Sequence, residues 1–128
     1  MKIASMIARY LMGLGFVIFG LNGFLNFLPQ PPLPPGPALD YVKNLSTTHY
    51  MVPVFAFQLI GGILLLINRY VPLALTILAP ILVNIVMFHS LMQPGGLPMA
   101  LLFVIFWILV FTSVRSAFTG LFQSQVEN

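Results

Sequence analysis

The sequence predicts an all-α polytopic membrane protein, an up-and-down bundle of four transmembrane helices. Three observations carry this. Hydrophobic residues make up 59% of the 128 residues and charged residues only 5%, against about 25% charged in soluble domains. Five basic and two acidic side chains cannot build a surface that faces water on all sides. The apolar residues also fall into four runs, each closed by proline, glycine or polar residues. The mean hydropathy is +1.03. So apolar a chain, with 12 phenylalanines, is not a proline-rich disordered one.

The first run is read as a helix over residues 3–28. Its apolar part crosses about 30 Å of hydrocarbon at about 1.5 Å per residue. Lys2 and Arg9 precede the apolar stretch, as in a signal peptide. The run is long for one, however, and it ends in "NFLPQPP" instead of a small-residue cleavage pattern. It is therefore taken as a retained helix.

Residues 29–50 form the longest connection. The stretch "PQPPLPPGP" holds six prolines and a glycine, which excludes regular helix and favours extended backbone. Residues 38–45 have the pattern of a short interfacial helix, with Tyr41, Val42 and Leu45 on its apolar side. The second helix is expected over residues 52–69, with Pro53 in its first turn. It is short for a full crossing, and an alternative makes it re-entrant. The third is expected over residues 71–92, with Pro80 bending it, and the fourth over 97–116. The tight turns "NRYVP" and "QPGGLP" make the second, third and fourth helices antiparallel neighbours. The whole chain, 1–128, reads as one domain.

Charge placement gives the orientation. A net charge of +3 does not indicate nucleic acid, because the basic residues form no cluster and most flank apolar runs. Lys2, Arg9, Arg69 and Arg115 fall on one side and Lys43 on the other, which puts both termini in the cytoplasm and the Pro-rich loop outside. Arg9 lies one to two turns into its helix and is expected to snorkel to the cytoplasmic surface. Its alternatives are a place facing Arg69 or phosphate, or one buried against neighbouring carbonyls.

Helices in lipid associate through small residues and a few polar side chains. On the first helix Arg9, Gly13, Phe16, Gly20 and Gly23 share one direction, while Gly15, Asn22 and Asn26 lie on a second side. That predicts at least two neighbours. On the second helix Gln58, Gly62, Leu65 and Arg69 share a face, with Gly61 beside it. Gly13, Gly20, Gly23, Gly61 and Gly62 are the expected packing positions.

The candidate ligand-binding residues are Asn22, Asn26, Gln58, Asn84 and His89, which gather in the outer half under the Pro-rich loop. Together they suggest either a polar pocket or interhelical hydrogen bonds that fix packing. His89 is suited to hydrogen-bond a quinone carbonyl or to exchange a proton. Asn84 and His89 lie about 140° apart on their helix at about 100° per residue, so they do not point straight into one site. Trp107 and the methionines read as filler.

Several chemistries are excluded or poorly supported. There is no cysteine, hence no thiol chemistry or thiolate metal site within this chain. The two histidines are far apart and no predicted helix carries Glu, so no metal site is expected. No phosphate loop, dinucleotide fingerprint or Ser–His–Asp arrangement occurs. No cofactor is evident apart from a quinone as a candidate, and no catalytic residue can be named.

The segments "ARYLMGLGFVIFGLNGFLNFLP", "FQLIGGILLLINRYVPLALTILAPILVNIVMFH" and "RSAF", in this order and spacing, resemble the DoxX-like family of small four-helix membrane proteins. The resemblance covers most of the chain. It implies the bacterial inner membrane as location. It matches family positions at Arg9, Gly20, Asn22, Gly23, Gly61, Gly62 and His89, and more loosely at Asn84. The family's namesakes look like the membrane subunit of a thiosulfate:quinone oxidoreductase. Where relatives often carry glutamate before the paired glycines, this chain has Gln58, which cannot carry a proton.

Two functions follow as expectations. One is a non-catalytic inner-membrane component or small-molecule/quinone-binding subunit. The other is the membrane subunit of a quinone-linked oxidoreductase, with Asn22, Gln58 and His89 near the quinone head. The expected partners are the lipid bilayer and either another membrane protein or a second copy of the chain.

Overall fold

The protein, seen in a computed structural model, is described over residues 2–29 and 32–127. The described residues are helical wherever they are regular. The helices are α1 (Lys2–Leu25), α2 (Pro37–Thr47), α3 (Met51–Leu66), α4 (Val71–Leu91) and α5 (Leu97–Val114). Single 3-10 segments lie at Pro94–Gly96 and Arg115–Phe122.

Three helical stretches are long and apolar enough to cross a membrane: Lys2–Leu25, Val71–Leu91 and Pro94–Phe122. α3 has 16 residues, only about 24 Å at 1.5 Å per residue. It reaches spanning length only together with α2, from which it is bent by 88°. The count is therefore three, or four if the bent pair is one span.

The helix ends differ from the sequence expectation for local reasons. α1 stops at Leu25 and does not run to residue 28. Asn26 takes a left-handed conformation, φ 51°, as asparagine often does just past a helix C-terminus, and the Asn22 side chain accepts the Leu28 N–H at 2.8 Å. α3 ends at Leu66 rather than 69, because Asn68 and Tyr70 are also left-handed and turn the chain back. α4 and α5 begin where expected, each with proline in its first turn. α5 gives way to 3-10 geometry after Val114, two residues before the expected end. Within the loop 29–50, α2 is the short helix the pattern foresaw, longer by a turn.

α1 packs against α3 and α5, and α4 packs against the same two. The first helix thus has the two neighbours its two small or polar faces predicted. The α1–α3 seam is closest. A Cβ at Gly62 would sit 2.8 Å from the Gly13 carbonyl oxygen and the Val17 nitrogen, and one at Gly20 would sit 2.9 Å from the Leu59 nitrogen. Only glycine admits backbones at that separation. Gly61 faces Leu78 on α4, and Gly15 lies under the Phe103 ring of α5.

The core lies toward one end. Ala8, Met12, Leu65, Ala74, Leu75, Leu78 and Val110 are all fully buried. They come from the start of α1, the end of α3, the start of α4 and the end of α5. Phe118 from the 3-10 segment closes this end against Phe111, with ring centroids 5.1 Å apart. Trp107 does more than fill space. Its indole N–H donates to the Leu75 carbonyl at 3.0 Å and ties α5 to α4 one turn before Pro80. Pro80 itself lacks the N–H that would bond the Thr76 carbonyl.

Arg9 lies against a neighbouring carbonyl, one of the alternatives to snorkelling. It is half-buried, and its guanidinium donates to the Leu65 carbonyl in the last turn of α3. It also lies 4.4 Å from the Tyr10 ring centre.

Candidate functional site

At the opposite end the helices enclose space. The end of α1, the start of α3, the end of α4 and the start of α5 surround a chamber of about 710 Å³. α2 lies across it and contributes Val42, Leu45 and Ser46, while His49 follows in the next turn. Aromatic side chains set the walls. Phe16 is buried and meets Phe103 edge to face at 5.4 Å, and Phe19 and Phe55 line the same space. A second, smaller cavity of about 310 Å³ lies between α3 and α4, also under α2. Gln58 and His89 line both.

Four of the five polar candidates meet at the larger chamber: Asn22, Asn26, Gln58 and His89. Asn84 does not. It is exposed and lines only the smaller cavity. Despite their angular separation on α4, Asn84 and His89 share the smaller cavity, and His89 alone of the two also reaches the larger one.

Each polar group is in a different state. Asn22 is buried, and its side-chain oxygen is occupied by the Leu28 N–H, so its first task is to finish α1. Asn26 is exposed at the turn. Gln58 is 7% exposed, and its Oε1 is enclosed with no hydrogen-bond partner among the described residues. An enclosed polar atom without a partner costs about 1–3 kcal/mol. Such an atom in a cavity wall marks a place where something else can supply the missing donor.

His89 is held by its own helix. Its Nδ1 lies 2.8 Å from the Ile85 carbonyl oxygen. A carbonyl only accepts, so Nδ1 carries the proton, and in the neutral ring Nε2 is left as an acceptor. The ring lies against Gly96, where any Cβ would overlap it. The turn "QPGGLP" therefore does more than stop a helix, since its second glycine makes room for the imidazole.

No Asp, Glu, Lys or Arg among the described residues lines either chamber. Among the described residues no group of three or more metal-ligating side chains occurs. What the arrangement can do chemically is hold a molecule of ordinary ligand size in a mostly apolar space with a few fixed polar contacts.

Sequence reasoning did not single out His49, Ser46, Phe55 or Phe103 as lining residues. His49 and Ser46 enter only because α2 folds back across the chamber. The amphipathic pattern of residues 38–45 was the available signal. The phenylalanines gave none, because lipid-facing and cavity-facing aromatics look alike in a uniformly apolar run.

Compared with family models, with curated proteins and with solved structures, the chain matches none.

Proposed function

We propose that this protein is a non-catalytic membrane component that binds a small lipid-soluble molecule in the chamber beneath α2. The observation that carries the reading is the partnerless Gln58 oxygen in the wall of a chamber of about 710 Å³. An apolar chain that encloses an unsatisfied polar atom beside such a space gains stability when a ligand completes the hydrogen bond. The lining favours binding over chemistry, because it is mostly apolar and, among the described residues, carries no Asp, Glu, Lys or Arg. A quinone is one candidate occupant, with its head beside Gln58 and His89.

In this reading the helices form an up-and-down four-helix transmembrane bundle of the DoxX-like kind in the bacterial inner membrane. α2 and α3 serve as one bent span or a span with an interfacial lead-in. The basic residues Lys2, Arg9, Arg69 and Arg115 keep both termini cytoplasmic, and the chamber opens toward the outer leaflet.

Purification in native lipid, followed by mass spectrometry of what co-purifies, tests this. A stoichiometric small amphiphile is expected, and its occupancy should fall in His89→Ala. Protein recovered with only bulk lipid, unaffected by that substitution, overturns the proposal. Reporter fusions after Pro35 and after Glu127 are expected to localise outside and inside. Signals on the same side would overturn the topology.

A further inference from the structure

The two cavities share Gln58 and His89 on their common wall and Val42, Leu45 and Ser46 of α2 as their common cover. We propose that they form one bipartite site for a neutral amphiphile. Its head donates hydrogen bonds through hydroxyl groups, and its single apolar chain lies in the cleft between α3 and α4. This rests on the binding reading above and specifies the ligand class for the same site.

Charge sets the first requirement. Among the described residues no Asp, Glu, Lys or Arg lines either cavity, so an anionic or cationic head would enter without a permanent counter-charge, which a low-dielectric site disfavours. Hydrogen-bond polarity sets the second. The enclosed Gln58 Oε1 lacks a donor, and His89, its Nδ1–H held by Ile85, presents Nε2 as an acceptor. A carboxamide turns softly about its last torsion, so Gln58 can bring Oε1 to a ligand in the chamber. Two acceptors call for a head with two donors. A hydroquinone or the diol of a monoacylglycerol meets both acceptors, whereas an oxidised quinone, which only accepts, finds a donor in the Gln58 amide group alone.

Shape sets the third requirement. α2 covers the end of the molecule, so the side cleft past Val54, Pro80 and Ile81 is the route on which a chain can lie. Its volume of about 310 Å³ suits one alkyl chain better than two.

The test uses the full chain in phosphatidylcholine nanodiscs. Four probes are titrated: monooleoylglycerol, a decyl hydroquinone, its oxidised benzoquinone, and oleate. At least one of the two hydroxyl-bearing probes is expected to bind about tenfold tighter than the benzoquinone, the size of one good hydrogen bond. Which of the two binds distinguishes a glycerolipid from a hydroquinone source. Oleate is expected to bind weakly. Gln58→Leu should weaken the hydroxyl probe about tenfold while raising the Tm of the empty protein, an opposition that loss of fold cannot produce. Asn84→Trp, at an exposed position on the cleft, should weaken the decyl hydroquinone and spare a chainless hydroquinone. Benzoquinone binding as tightly as its reduced form overturns the donor-head assignment and leaves the binding function standing. Equal weakening of chain-bearing and chainless probes by Asn84→Trp overturns the placement of the chain. Failure of every probe to bind overturns both this assignment and the function beneath it.

Discussion

The two ends of this molecule are built from the same four helices, α1, α3, α4 and α5, and from mostly apolar residues, yet one is filled and the other hollow. At the filled end small residues alternate with aliphatic ones, and Trp107, Phe111 and Phe118 pack over them. Ala8 and Ala74 let the helices approach, and Met12, Leu65, Leu75 and Val110 occupy what remains. At the hollow end phenylalanines take their place. Phe16, Phe19, Phe55 and Phe103 line the chamber, and rigid rings hold helices apart without filling the centre. Space in a helical protein is therefore set by side-chain shape, and apolar content alone does not report it.

The comparison can be broken hardest at the α1–α3 seam, which runs the length of both ends. Gly62→Leu forces a branched side chain into the Gly13 and Val17 backbone, and a loss of about 3 kcal/mol or more is expected. Loss of folded protein on size-exclusion chromatography would register it, and full retention would show the seam to be loose.

The next largest effect compares the ends directly. Leu75→Ala at the filled end should cost about 2–5 kcal/mol. Leu82→Ala, whose side chain already borders the chamber, leaves space that merges with existing space and should cost visibly less. Unfolding in mixed detergent micelles measures both, and equal losses would contradict the distinction between the ends. The smallest effect concerns the tie between α4 and α5. Trp107→Phe removes the donor to Leu75 and should lower stability by about 1 kcal/mol, with no change in ligand binding at the other end.

The sequence made the long helices legible because their apolar runs are punctuated by proline and glycine. It made the α1 faces legible because glycine spacing at helical period has few other uses. It left the helix ends uncertain by up to three residues, since left-handed turns at Asn26, Asn68 and Tyr70 have no strong local signature in asparagine or tyrosine alone. Four of five candidate polar residues line one chamber, but their states were not readable. That Asn22 is occupied and Gln58 is not depends on whether a loop amide lies within reach. The link between His89 and Gly96 was invisible for the same reason: it joins a helix to a turn that merely looked like a stop.

Arg9 carries a consequence for how such a chain assembles. α3 is short, and its last turn ends in carbonyl groups that bear the negative end of the helix dipole. Arg9 on α1 donates to one of them, at Leu65. In a bilayer, an arginine on a lone α1 faces hydrocarbon, and a lone α3 leaves its carbonyls unsatisfied. Joined, each removes the other's difficulty. The two helices thus meet this requirement as a pair, and the Pro-rich segment and α2 are the connection that must let the pair close.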